Sequence, residues 1–295
     1  MTTDPFVTHR SLLFTVAYEM LGSAADAEDV VQETWLRWAD LADEARAEVR
    51  DPRAYLVRIV TRQALNRLRT LARRKEDYVG EWLPEPLLTS PDVAEDVELA
   101  ESVSIAMLTV LETLGPTERA VFVLREVFDV PYEEIAAAID KSSAAVRQIA
   151  HRARAHVAAR QPRFAVDTRE QQQVVDRFLV AVKNGDVQGL LDVLAPEVVL
   201  VADGGGIAKA ARKPIEGAEM VAHLLGMFAE ITSGVELKTE TIWLNGAPAL
   251  RFEGLEPIGT TAISVVVEDG RITRIYAMRN PHKLTGIAEE VAISR

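Results

Sequence analysis

Apolar residues recur every three to four positions through the first half of the chain and every second position through much of its last third, which predicts helices followed by strands. Leu13, Val16, Ala17, Met20 and Leu21 mark a first helix that Gly22 closes, and Ser23 can cap the next. In that second helix Ala27, Val31, Trp35 and Trp38 form the apolar stripe. Asp51-Pro52 is an N-cap followed by proline at the first helical position, and Leu56, Val60, Ala64, Leu68 and Leu71 carry a long helix from there. A further helix is expected from Val97 to Leu114, on Leu99, Val103, Ala106, Val110 and Leu114.

Pro116 and Pro131 then open two short helices, the first with Ala120, Val121, Leu124 and Val127 inward, the second with Ile135 and Ile139. Ser142 is placed to cap a third, whose buried side is Val146, Ala150, Ala153 and Val157. After residue 165 two more helices, the first stopped by Asn184-Gly185 and the second ending before Pro196, lead into strands at 198–202, 237–244, 249–253, 262–268 and 272–278. Asn245-Gly246 and Asp269-Gly270 sit between consecutive strands, the strongest short hairpin signal. A helix over 218–231 lies between the first strand and the hairpins.

The polar faces say more than the apolar ones. On the long helix Arg58, Arg62, Asn66, Arg69 and Arg73 climb one side, and no acid interrupts eight basic residues between Arg53 and Lys75. Such a stripe can neutralise backbone phosphates, and Asn66 offers an amide that can pair with a base edge. The polar connection from Asp40 to Asp51 is long enough to hold an extruded base. On the last helix before residue 165, Arg147, His151 and Arg154 lie one turn apart, flanked by Arg152 and Arg160. A cationic helix behind a tight helix pair has the form of a helix-turn-helix reader of the major groove; a solvated basic helix is the plainer alternative. Asp26, Asp29, Gln32, Glu33 and Arg37 share a face of the second helix, which reads as a docking surface or simply as a solvated one.

Net charge of -12 argues against nucleic acid until its distribution is seen. Residues 76–114 contain ten acids and no cation, and the modules on either side are neutral to slightly basic. That acidic connection repels phosphates bound on either side, and we expect it to keep the two cationic helices apart. Inside it Trp82-Leu83-Pro84-Glu85-Pro86-Leu87-Leu88 is too apolar and stiff for a spacer and is expected to dock on another surface. There are no cysteines, so disulfides and thiolate metal sites are excluded and a reducing, cytoplasmic compartment is expected. No apolar run reaches the ~20 residues a bilayer span needs, and no membrane partner is expected.

The run from Asp26 to Arg37, the helix ending Ala64-Leu65-Asn66-Arg67-Leu68-Arg69, Glu134-Ile135-Ala136 and His151-Arg152-Ala153-Arg154 together resemble the two domains of extracytoplasmic-function sigma factors. The resemblance implies that Asp29, Gln32 and Glu33 face the clamp helices of the polymerase beta-prime subunit. It implies that the Arg-striped helix reads the minus-ten promoter element, and that Ser143, Arg147 and His151 face the minus-35 element. Ile149 departs from the pattern, standing where many members carry a basic residue. Trp82 to Pro86, Asp203-Gly204-Gly205-Gly206 and Asn280-Pro281-His282-Lys283-Leu284 resemble the signature of the group with a fused SnoaL-like domain, understood as a regulator in place of a separate anti-sigma protein. The expected fold is therefore multidomain: all-α modules at 1–75 and 101–164, an acidic linker at 76–100, and an α+β cone resembling ketosteroid isomerase and SnoaL at 165–295.

Function classes remain to be separated. The expected one is an alternative sigma factor whose partners are core RNA polymerase and promoter DNA, with no cofactor, no metal and no enzymatic activity. A conventional helix-turn-helix regulator is the first alternative. A bifunctional protein is the second: there Asp203 would be a general base helped by His223, Tyr276 or Arg279, rather than part of a tight glycine-rich turn. Whether the cone holds a small molecule is open at this stage.

Overall fold

A computed structural model of the chain describes residues 4–161, 168–232, 234–235, 237–254 and 259–295, and only the backbone at 72–76. The described residues divide into two compact units, one of residues 1–76, 107–161 and 292–295, the other of 77–106 and 162–291.

The first unit is helical. Helix α1 (Pro5–Leu21) is capped by Asp4, which accepts from the Phe6 amide at 2.8 Å, and ends where Gly22 turns left-handed at φ 67°. Ser23 caps α2 (Ala24–Ala39), accepting from Asp26 at 3.1 Å. A short α3 (Asp43–Ala47) occupies the connection proposed to hold a base, and Arg46 ties it back by donating to the carbonyls of Trp38, Ala39 and Leu41. Asp51 caps α4 (Pro52–Glu76). Leu13, Tyr18, Ala27, Trp38, Leu56 and Val60 are buried between these helices. Trp35 departs from its expected inward position: it is 37 % exposed, at the unit's edge against Phe6.

The expected helix over 97–114 is two, α5 (Val97–Val103) and α6 (Ile105–Leu111), because Ser104 adopts ψ 146° and breaks the ladder. Helix α7 (Pro116–Phe122) continues into one wide π-type turn over Val123–Val127. Helix α8 (Tyr132–Ile139) stops at Asp140 with φ 54°, and Ser142 caps α9 (Ser143–Ala158). Ile149 is 8 % exposed, on the buried stripe of α9 with Val146, Ala150, Ala153 and Val157, so its lack of charge reflects packing against the rest of the helix-turn-helix.

These helices share one unit, so the acidic segment does not keep the two cationic helices apart as expected. Helix α4 packs on α7 and α8, and α1 on α7. Arg119, 2 % exposed, donates to the Glu19 carbonyl at 2.9 Å and pairs with Glu112 at 2.9 Å.

The second unit is built on a curved sheet. Helices α10 (Thr168–Asn184) and α11 (Val187–Val193) precede β1 (Leu194–Asp203), which begins earlier than expected and takes Pro196 in its irregular register between Leu194 and Val199. A two-residue β2 (Ile215–Glu216) that the pattern did not reveal comes before α12 (Ala218–Thr232). Strands β3 (Lys238–Leu244), β4 (Ala247–Glu253), β5 (Thr260–Glu268) and β6 (Arg271–Met278) follow, and the sheet order is β2-β1-β6-β5-β4-β3. Among the described strand pairs only β1 and β6 run parallel. Both hairpin turns have positive φ at both central residues, 54° and 75° at Asn245-Gly246 and 51° and 71° at Asp269-Gly270, the geometry that matches strand twist. A register shift between Val266 and Val267 adds curvature.

Both faces of this sheet are covered. Phe178, Val182, Leu190 and Leu225 of the helices pack with Leu200, Phe252 and Ile263 on one side. On the other, Leu83, Ile105 and Leu284 pack with Leu244, Ala262, Tyr276 and Met278. The near-continuous apolar run of β5 follows from that double burial.

Candidate functional site

The segment from Tyr78 to Thr89 is bound at two points along the sheet. The first is Asp203, at the end of β1 and fully buried. Its Oδ2 accepts from the Leu83 amide at 2.9 Å and from Lys283 Nζ at 2.8 Å; its Oδ1 accepts from the Tyr78 hydroxyl at 2.5 Å and the Gly205 amide at 3.0 Å. Lys283, 5 % exposed, also donates to the Leu83 carbonyl at 2.6 Å and lies 3.4 Å from the centre of the Trp82 ring. Asn280 donates to the Tyr78 hydroxyl at 2.8 Å and accepts from His282 N at 3.0 Å. Tyr78 and Trp82 meet edge to face at 4.6 Å, so the ammonium is enclosed by two rings and a carboxylate. Burial first, then the hydrogen bond to Asp203, raises the Tyr78 phenol above its usual range and keeps it a neutral donor.

The glycines after Asp203 are explained by proximity. Gly205 has φ 60°, and a Cβ on it would run into the Asn280 amide; one on Gly204 would strike the Ala208 carbonyl oxygen. Gly206 lies against Val79. Leu83, Pro84, Pro86 and Leu284 are buried, Glu85 is half-buried and Pro281 is exposed.

The second point is Asn245, in the β3–β4 turn and 1 % exposed. Its side chain accepts from the Leu87 amide at 2.9 Å and donates to the Val103 carbonyl at 2.8 Å, and its own amide donates to the Leu87 carbonyl at 3.0 Å. Thr89 donates through its amide to the Trp243 carbonyl and accepts from the Gly246 amide, each at 3.0 Å, and Leu88 bridges Leu244 antiparallel. The linker is thus a short strand-like addition to the sheet edge. Sequence reasoning reached Trp82, Asp203, Asn280 and Lys283 but missed Tyr78 and took Asn245 only as a turn former. The signal for Asn245 was its type, since an asparagine in a tight turn can also offer both halves of its amide outward.

Asp203 does not have the setting of a general base. All four of its partners are protein groups of the linker, its own turn or Lys283, and the groups that would assist it are dispersed. His223 is exposed on α12, Tyr276 belongs to the linker-side cluster, and Arg279 lines a cavity on the helix side.

In the helical unit the cationic faces are arranged as follows. Arg58 is exposed over the Tyr55 ring at 5.3 Å, and Asn66 and Arg69 are exposed and joined at 3.3 Å. Arg62 donates to the Ala138 and Ala137 carbonyls at 3.1 and 3.0 Å and to Asp140 at 2.8 Å, so it caps the C-terminus of α8. The side chain of Arg73 lies outside the described residues. On α9 Arg147 pairs with Glu133 at 3.0 Å and stacks on Tyr132, His151 is exposed, Ser143 is half-buried at the first turn, and Arg154 comes within 3.8 Å of Glu126. The acidic face of α2 is partly engaged: Arg67 of α4 pairs with Asp26 at 2.7 Å and with Asp29, and Gln63 donates to Glu33 at 2.8 Å, while Gln32 and Arg37 are exposed.

The Sigma-70 region 2 family model matches residues 6–74 and the Sigma-70 region 4 model matches residues 104–157. The ECF RNA polymerase sigma factor SigJ of Mycobacterium tuberculosis is 35% identical over 97% of this chain and 94% of its own length. The RNA polymerase sigma-E factor of Streptomyces coelicolor is 30% identical over 51% of this chain and 80% of its own. A crystal structure of the Mycobacterium tuberculosis SigJ superimposes with a TM-score of 0.77 at 32% identity, covering 96% of this chain and 98% of that one.

Proposed function

This chain belongs to the extracytoplasmic-function sigma factors of RNA polymerase, and we propose that it directs promoter-specific initiation from a closed state governed by its own C-terminal domain. The observation that carries the closed state is Arg62: a guanidinium suited to promoter phosphates is spent on the α8 carbonyls and Asp140. The same side chain cannot serve both, so promoter reading requires α4 and α8 to part.

Binding to the polymerase core supplies the free energy for that parting. Asp29, Gln32, Glu33 and Arg37 form the docking face of α2 for the beta-prime clamp helices, with Asp26 holding α4 in register through Arg67. Helix α4 then reads the minus-ten element through Arg58, Arg62, Asn66, Arg69 and Arg73, and α9 reads the minus-35 element through Ser143, Arg147, His151 and Arg154.

The segment joining the two readers is held by Asp203, Asn245, Asn280 and Lys283, and this supports regulation in cis without a separate anti-sigma protein. Releasing or keeping that clasp sets the contour length available between the readers. In this reading the cone is a binding module, because every oxygen of Asp203 is committed to the clasp. The site of action is the cytoplasm, with the polymerase; no helix among the described residues is long and apolar enough to cross a membrane.

Run-off transcription with purified core polymerase, combined with energy transfer between labels on α4 and α9, tests the proposal. Core should lower the transfer efficiency and the complex should transcribe. Unchanged transfer in a transcribing complex would remove the closed state as a regulatory step.

A further inference from the structure

Between α12 and the helix-bearing face of the sheet lies a cavity of about 380 Å³, within the range of about 300–1,000 Å³ typical of small-molecule sites. Its walls are apolar: Leu200 of β1, Leu225 and Phe228 of α12, Phe252 of β4 and Ile263 of β5. Among the described lining residues Thr261 supplies a hydroxyl, and the charged side chains are Lys209 and Arg279, both cationic. No carboxylate is in the described lining. From these features we propose that the cavity binds a small amphipathic carboxylic acid, its aliphatic body on the apolar walls and its carboxylate on Arg279.

Arg279 is positioned for that task by its own backbone and side chain. Its amide donates to the Asp203 carbonyl at 2.7 Å, which fixes the residue at the end of β6. Its Nη1 donates to the Lys209 carbonyl, which orients the planar fork at the cavity wall and brings the Lys209 main chain beside it. Burial lowers the Arg279 pKa, a direction that a bound anion would offset. A planar guanidinium matches a carboxylate with two parallel hydrogen bonds, and a neutral alcohol of equal length can use only part of that geometry.

The entrance suits such a ligand as well. Met227 and Ile231 of α12 border the cavity and are 42 % and 71 % exposed, giving an aliphatic tail a wetted apolar surface to meet before it is enclosed. The cavity also touches the two strand ends that hold the linker: Ala202 precedes Asp203, and Arg279 precedes Asn280. An occupant therefore presses on residues covalently joined to the clasp.

Isothermal titration of the full chain with decanoate, decanol and decylamine tests this without polymerase, so its failure leaves the sigma-factor reading untouched. Decanoate should bind saturably at one site, decanol at least about tenfold more weakly, and decylamine not measurably. Arg279→Gln should weaken decanoate by about ten- to hundredfold and Arg279→Lys by less. Leu224→Trp, which fills the cavity from α12, should abolish binding while circular dichroism shows the fold retained; it carries the test if the Arg279 variants do not fold. Absence of saturable decanoate binding overturns the proposal, as does equal binding of decanoate and decanol.

Discussion

Arg62 of α4 and Asp140, the residue that ends α8, form an ion pair at 2.8 Å. The pair ties the middle of α4 to the turn that precedes α9, the two helices proposed to read the promoter. Both side chains are partly exposed, 49% and 83%, so the charge interaction itself is worth under about 1 kcal/mol. The two carbonyl contacts of Arg62 add to it, and the buried Arg119 fixes the same helical unit elsewhere.

The pair separates closure from DNA contact by the sign of an effect. Asp140→Asn keeps the left-handed turn, which asparagine tolerates, and removes only the charge partner. It should raise run-off transcription by up to about fivefold, the equivalent of about 1 kcal/mol. Arg62→Ala also removes the proposed phosphate ligand and should lower it. If both variants raise output equally, Arg62 serves closure alone.

Breaking the linker clasp should cost more, since its charges are buried. Lys283→Met leaves Asp203 without its ammonium and should destabilise the second unit by about 3–5 kcal/mol, measured by denaturant unfolding. Adding Asp203→Asn removes the unpaired buried charge but keeps an acceptor on only one side, for Leu83 or for Tyr78 and Gly205, and should recover part of that loss. Limited proteolysis should cut between Tyr78 and Leu88 faster in Lys283→Met than in the unaltered chain; equal rates would show that the pair does not hold the linker.

Tyr78 gives the clasp an alkaline limit. Its folded pKa is raised, so the folded state holds the phenolic proton more tightly than the unfolded chain does. The stability this contributes is complete below the unfolded value of about 10 and is lost as pH climbs from there through the folded value. Unfolding midpoints at about pH 8 and about pH 11 should differ less in Tyr78→Phe than in the parent. A parent and variant with the same pH slope would contradict this.

On α9 the pairing of Arg147 with Glu133 predicts opposite effects of two substitutions. Arg147→Ala should weaken promoter binding by holoenzyme by about 1–3 kcal/mol and relax preference at one base position. Glu133→Gln frees the guanidinium and should strengthen binding modestly. Competition binding on promoter variants over a range of salt measures both, and a uniform loss across sequences would assign Arg147 to phosphate instead.

Several parts of the fold were legible because their causes are local. Ser23, Asp51 and Ser142 cap the helices they precede, and Asn245-Gly246 and Asp269-Gly270 turn the hairpins, since a cap or a turn needs only the next few residues. The break at Ser104 and the two-residue β2 escaped because each depends on what packs against it. The linker motif was legible as something that docks, and so were its partners as motifs. That the C-terminal module grips the linker was legible from the paired motifs; which atoms meet was not, because Leu83 and Asp203 are 120 residues apart and Leu83 and Lys283 are 200 apart.

The sequence by itself determined the helices, their cationic stripes and the hairpins, which follow from periodicity, capping and charge along short stretches, and its motifs carried the resemblance to the sigma-factor family. Only the tertiary structure decided that the two cationic helices share one unit through Arg62 and Arg119, and that residues 87–89 of the acidic connection pair with the edge of the C-terminal sheet. The physical reason is that a buried ion pair, or a backbone amide on a distant carboxylate, is selected by the three-dimensional absence of water around it, which no local pattern of residues encodes.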